Sequence, residues 1–201
     1  MAIPGVAVPG SVVASGSAVS PAGPQGIQGP QGTAGAGGGG GAGTKTFRKF
    51  SANDGNPTAT LYAVWATRNN TPILGFNDTT AWQTFFIDVV PEGAVLTSGL
   101  TINILWAAAS ATTGNVKWNA QIERMNTTIA ADSFDTAGTI TTACNGSNGV
   151  PSLSSIVGLT TIDGITIGDT YRILVTRDAA NGADTMTGDA QLISVEVRSA
   201  N

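Results

Sequence analysis

The sequence predicts an all-β protein: an antiparallel β-sandwich of jelly-roll type, preceded by an extended arm and a short collagen-like triple-helical stalk. Three observations lead there. From Thr44 onward, short apolar and aromatic runs are punctuated by clusters of Gly, Asn, Asp, Ser and Thr, the pattern of strands and turns. No stretch of that region carries apolar side chains at the spacing of an amphipathic helix. Ahead of it, glycine recurs at every third position, at Gly23, Gly26, Gly29, Gly32, Gly35, Gly38 and Gly41.

Residues 1–22 combine Val, Ala, Ser, Gly and Pro with no helical period and no charge, which predicts extended chain. Burying such an arm in a partner's groove would desolvate no charge, so Ile3, Val6, Val8, Val12 and Val13 are candidate anchoring residues. The opening M-A-I-P-G-V-A-V-P-G has no basic flank, and Pro4 and Pro9 interrupt its apolar run. It reads as neither a signal peptide nor a membrane span.

Residues 23–43 are the triplet region. Its core, G-P-Q-G-I-Q-G-P-Q-G-T-A-G, places Pro24 and Pro30 directly after a glycine. Three polyproline-II chains wind together only where the axial position has no side chain, so the pattern predicts a homotrimer. Wound throughout, the region would form a stalk roughly 55–60 Å long. Beyond Gly35 the run A-G-G-G-G-G-A-G reads as a flexible joint. So few triplets do not hold a triple helix alone, and the globular domain must supply most of the trimer's stability and its register.

Residues 44–201 form the predicted sandwich. Thr46–Phe50 and Ala59–Thr67 are candidate strands, with D-G-N-P at 54–57 as the turn between them. Ile73–Phe76 is a short candidate, and Trp82–Val90 runs into Pro91. Leu100–Ala108 and Asn115–Met125 flank A-T-T-G-N, which predicts a hairpin-like connection. Val116, Trp118, Ala120 and Ile122 alternate with Lys117, Asn119, Gln121 and Glu123, the period of a sheet with one wet side. Thr139–Thr142 and Gly158–Ile162 are short candidates in a loop-rich centre. Thr170–Thr176 and Ala190–Ser199 close the set, and Ile193 breaks the alternation of the last strand, which suggests either a bulge or a face in contact with a neighbour.

Composition excludes much chemistry. No ionisable side chain or aromatic ring precedes Lys45 and Phe47, and the formal charge is −4. Lys45, Arg48 and Lys49 are the one basic cluster, too small to predict nucleic-acid binding. Histidine is absent and Cys144 is the lone cysteine, so no intrachain disulfide, zinc-type cluster or histidine-based catalytic group exists. Asp132 with Asp135, and Asp178, Asp184 and Asp189, are the carboxylates that could supply a glycosidase-type pair. Carboxylates in Asn/Gly/Thr loops more commonly cap turns, so no enzyme and no cofactor is expected. Asp178, Asn181, Asp184 and Asp189 are hard oxygen donors of the kind calcium takes, without the spacing of a known calcium loop. Trp65, Trp82, Trp106 and Trp118 could stack on sugar faces as a glycan contact, although core packing is the stronger expectation.

Four segments carry a resemblance: W106-A-A-A-S-A-T-T-G-N-V-K-W118-N-A-Q-I-E-R-M125, A131-D-S-F-D135, Y171-R-I-L-V-T-R177-D178 and A183-D-T-M-T-G-D-A190. With them the globular part resembles structural proteins of tailed-bacteriophage particles. The resemblance implies a trimerising β-sandwich on the outer surface of a virion assembled in the host cytoplasm. It implies as partners the major capsid protein or tail and baseplate proteins. The apolar arm and the compact head favour a capsid decoration protein anchored by its arm; the alternative is a tail-fibre or spike protein recognising a host surface glycan.

Overall fold

The computed structural model describes Gly10 and residues 45–126 and 130–200. The anchoring-arm residues Ile3, Val6, Val8, Val12 and Val13 and the stalk glycines Gly23, Gly26, Gly29, Gly32, Gly35, Gly38 and Gly41 lie outside the described residues.

Eleven strands are described: β1 (Thr46–Ser51), β2 (Asn56–Pro57), β3 (Val64–Arg68), β4 (Thr71–Phe76), β5 (Gln83–Val89), β6 (Leu100–Ala108), β7 (Asn115–Arg124), β8 (Gly138–Ala143), β9 (Pro151–Leu159), β10 (Thr170–Arg177) and β11 (Ala190–Ser199). The sole described helix is a 3-10 turn at Ala52–Asp54. The strands form two antiparallel sheets that make a jelly-roll-type sandwich. One sheet has the order β3-β4-β11-β6-β9 with β1 also on β11, and the other is β2-β5-β10-β7-β8. β6 runs along one edge of β11, while β4 takes Ala190–Leu192 and β1 takes Ser194–Arg198 on the other. The register on β6 slips between Leu192 and Ser194. Ile193 is thus the expected bulge, placed where one neighbour strand hands over to the next.

Alternation decides what enters the core. Val116, Trp118, Ala120 and Ile122 of β7 are fully buried, facing Leu100, Ile102, Ile104 and Trp106 of β6 in the other sheet. The Trp106 and Trp118 rings meet across the sandwich with centroids 6.1 Å apart, and Phe76 packs edge-on to Trp118 at 5.0 Å. Trp106 Nε1 donates to Ser154 Oγ at 2.8 Å, so the buried indole keeps a hydrogen-bond partner.

Several local expectations are corrected. A-T-T-G-N does not close a hairpin, because β6 pairs with β11 and β9 while β7 pairs with β10 and β8. The connection crosses between sheets, and Gly114 makes the crossing with φ +98° against the backbone of Met186. D-G-N-P likewise is no simple turn. The 3-10 turn, capped by Asp54 Oδ2 on Ser51 N at 2.7 Å, carries the chain to the second sheet, where Asn56 and Pro57 pair with β5. The single strand expected over Ala59–Thr67 starts only at Val64, since Leu61 (φ +57°) turns the chain back and Tyr62 bridges Gln83. β9 begins at Pro151 and ends at Leu159, upstream of the expected Gly158–Ile162.

A Cβ on Gly114 would lie 2.6 Å from Met186 Cα. Gly114→Ala should therefore lower the unfolding free energy by at least about 1–2 kcal/mol from backbone conformation alone, read as a reduced urea midpoint at unchanged m-value.

Candidate functional site

The outer face of the β2-β5-β10-β7-β8 sheet carries the site. Alternation that sends Phe86, Ile173 and Ile122 into the core turns Phe85, Leu174 and Gln121 outward in one cross-strand row, and Ile87, Arg172 and Glu123 in the next. The turn at Thr58–Thr60 rises along one side of this face, and Asp132 and Phe134 of the following loop close the other. Between them lies a cleft of about 300 Å³, with Phe85 and Leu174 on its floor and Phe134 on its wall.

Arg172 organises the cleft. Its Nε donates to Glu123 Oε2, and its Nη2 donates to Asp132 Oδ1 at 2.5 Å. The guanidinium carbon sits 4.7 Å from the Phe134 ring centroid and 5.8 Å from that of Phe85, within cation–π range of both. Glu123 also accepts from Ser133 N and Ser133 Oγ, each at 2.9 Å, which fixes the 131–135 loop over the sheet. The wet side expected of β7 is therefore wet along only part of its length: Glu123 is 3% exposed beneath that loop. Desolvation pushes the Glu123 carboxyl up, but the Arg172 hydrogen bond and the two Ser133 donors outweigh it and hold it below its ordinary value. The same Glu123 bond, opposed by desolvation, raises Arg172, so the pair stays charged.

The tryptophans fall elsewhere. Trp106 and Trp118 are fully buried in the core and are withdrawn as glycan contacts, because no ligand can reach them. Trp82 is partly buried against the core. Trp65 alone stands open, 57% exposed on the edge strand β3, with Nε1 bonded to Asn53 Oδ1 at 2.9 Å. It lies outside the cleft. The cleft aromatics, Phe85 and Phe134, were missed as ligand contacts. Strand alternation over F-F-I-D would have placed Phe85 and Phe86 on opposite faces, but not which faced solvent.

The acidic residues are occupied. Asp132 pairs with Arg172, whereas Asp135 accepts from the backbone N–H groups of Thr136 and Asp163, so the two do not oppose each other as a catalytic pair. In the 178–189 loop, Asp184 forms a two-pronged pair with the fully buried Arg177, at 3.0 Å to Nε and 2.8 Å to Nη2. Asp178 pairs with Lys117 at 3.2 Å, and Asn181 Oδ1 accepts from Ala183 N. A guanidinium thus occupies the carboxylate that a calcium ion would need first. Among the described residues no group of three or more Asp, Glu or Cys could hold a metal ion. Cys144 is half-buried against the core with its thiol free.

A larger depression of about 530 Å³ lies on the outer face of the other sheet, with Ile73, Leu105 and Ile193 among its lining. Its one cation, Arg68, donates to Ala108 O, Ala109 O and Gln191 Oε1, neutral acceptors that hold the guanidinium in place and leave its charge uncancelled.

No protein-family model matches the chain, and no curated protein matches it. Solved structures similar to it include a carbohydrate-binding module from Cellvibrio mixtus lichenase 5A in complex with cellotriose. That match has 10% identity and a TM-score of 0.42, covering 78% of this chain and 100% of that one. A carbohydrate-binding module dissected for specific mannan recognition matches at 8% identity and TM-score 0.42, over 80% and 100% of the two chains. A family 11 carbohydrate-binding module from Clostridium thermocellum, bound to a mixed-linked tetrasaccharide, matches at 11% and 0.37, over 80% and 86%. At such identities and TM-scores the likeness extends to the sandwich and no further.

Two predictions follow from these ion pairs. Glu123 contributes stability above its unfolded value near 4.5, and that contribution is lost as pH falls through the lower folded value. Wild-type stability in urea should hold from pH 7 to about 5 and drop below about 4.5. Glu123→Gln should cost about 1.5–3 kcal/mol at pH 7 and show a smaller acid drop. Asp184→Ala strands the buried Arg177 charge and should cost about 3–5 kcal/mol, measured by chemical denaturation.

Proposed function

We propose that the chain is a non-enzymatic, homotrimeric structural protein of a phage particle whose sandwich head recognises a host-surface glycan through the Phe85–Phe134–Arg172 cleft. The observation that carries the reading is the cleft itself. It joins aromatic faces, which stack on the apolar faces of sugar rings, to fixed hydrogen-bonding groups at Gln83, Asp132 and Thr58. A held guanidinium and carboxylate keep the polar groups oriented before any ligand arrives, which lowers the ordering cost of binding.

Charge narrows the ligand. The charged lining is one guanidinium and one carboxylate, Arg172 and Asp132, and the buried Glu123 holds Arg172 from behind, so no cation is left unpaired in the cleft. A polyanionic glycan would find no free cation there, and a neutral one needs none. The ligand class is therefore a neutral polysaccharide of the host surface.

A second reading, capsid decoration, is favoured by the charge-free arm with Ile3, Val6, Val8, Val12 and Val13, which suits a groove between capsid subunits. An antibody to the head should label a lattice over the capsid for decoration, and the tail alone for receptor recognition.

Applied to an array of bacterial surface polysaccharides, the full-length protein should bind neutral members. Phe134→Ala should weaken that binding at least about threefold per head, the value of one aromatic contact, with the unfolding midpoint nearly unchanged. Absence of binding to every polysaccharide, or equal binding by Phe134→Ala, would remove the glycan reading.

A further inference from the structure

The end of the sandwich at which the chain enters carries an exposed apolar surface. Lys45, the first residue of the described sandwich, is pinned there. Its carbonyl accepts from Ser199 N at 2.9 Å, and its Nζ donates to Glu92 O at 2.9 Å. Gly93 makes room for that contact, since a Cβ there would stand 2.7 Å from Lys45 Nζ. The loop that starts at Glu92 continues as Ala94, Leu96 and Thr97, which line one side of a shallow depression. Ile162, Ile165 and Ile167 of the neighbouring loop line the other side. Ile162 and Ile165 are buried and form a firm floor, while Ile167 projects with 53% of its surface exposed. The same end is tied together by Ala200 N on Gly99 O and by Gly168 N on Val90 O, both at 3.0 Å.

The sequence supplies the occupant. Glycine triplets pack only when three chains share one axis, and so few of them need the heads to hold the chains in register. The joint between Gly35 and Lys45 spans at most about 30–35 Å when fully extended. Lys45 of every copy would therefore stay within that reach of the axis, which makes the Lys45 end the one the chain itself brings toward its copies. The exposed Leu153 of the edge strand β9, by contrast, pairs with Leu105 at mid-strand, away from the entry point.

We propose that the Leu96–Ile165–Ile167 surface is the threefold contact through which two further copies of this chain meet the first, setting the register of the triplets. The proposal rests on the trimeric part of the reading above and is independent of the glycan cleft, with which it shares no residue.

Sedimentation equilibrium of the full-length protein tests it. The wild type should have the mass of three copies. The double variant Thr97→Asp/Ile167→Asp, which changes two exposed side chains, should sediment as one copy at micromolar concentration. Ile167→Ser alone should shift the mass average toward one copy on dilution. Leu153→Asp, as exposed on β9 as Ile167 is at the entry end, should keep the trimer. Near-ultraviolet circular dichroism from the buried Trp106 and Trp118 reports whether each head is folded. Binding of the dissociated heads to the polysaccharide array should persist, with avidity lost. A wild type of one-copy mass would overturn the trimer itself. A trimer that survives both Ile167 variants, or dissociates equally in the β9 variant, would overturn this surface as its contact.

Discussion

The sandwich depends on one fully buried cation. Arg177, at the end of β10, uses its guanidinium to join segments that the chain otherwise leaves apart. It donates to Phe76 O at the end of β4, to Gly188 O and Met186 O ahead of β11, and to both oxygens of Asp184. Asp184 then accepts from Lys117 N of β7 at 3.0 Å. Both sheets and the 178–189 loop are thus fastened at a single point. Such a pair is weak evidence for net stability, because removing two charges from water costs nearly as much as their attraction returns. What it does impose is position: every alternative packing of this loop would leave a charge buried without a partner.

The second arginine of β10 has the opposite character. Arg172 is five residues earlier and so on the outer face, where it joins the buried Glu123 to the exposed Asp132 and its flanks are aromatic rings. Five positions along a strand of period two reverse the face, which is why one strand delivers a structural cation inward and a binding-face cation outward. Through Asp184 the inward one ties the end of β10 to Lys117 of β7, and the pairing of β10 with β5 and β7 sets Phe85 beside Leu174 and Arg172 beside Glu123.

The strands were legible where one face is apolar and the other polar. β7 and β11 show it, down to the bulge at Ile193, because alternation is a local property of the chain. Which sheet a strand joins is not local. A-T-T-G-N reads like a hairpin turn, yet it connects two sheets, because the decisive contacts are between Trp106 and Trp118 and with the distant Met186. β9 was read short for a related reason. Its inward Ser154 is polar and takes its place by bonding to Trp106 Nε1, a partner 48 residues away. The cleft was the least legible part. Aromatic residues in strands look alike whether they face core or solvent, and Trp106 and Trp118 drew attention as the larger rings. Phe134 is functional in this reading only because a loop carries it over Arg172.

A small cleft and a trimer have a physical connection. A depression of about 300 Å³ on an exposed sheet face encloses only part of a saccharide, so each head would gain little on its own. Three heads fixed around one axis change that balance. Once one cleft holds a polymeric glycan, the other two search a volume set by the assembly and not by bulk solution, and the effective concentration exceeds any free concentration of sites. For the proposed trimer, that gain requires rigid placement of the heads relative to one another, which tethering alone does not provide. A direct head-to-head contact does. In the proposed trimer, the apolar surface at the Lys45 end would bear on recognition as well as assembly: without it, binding would fall toward that of a single cleft.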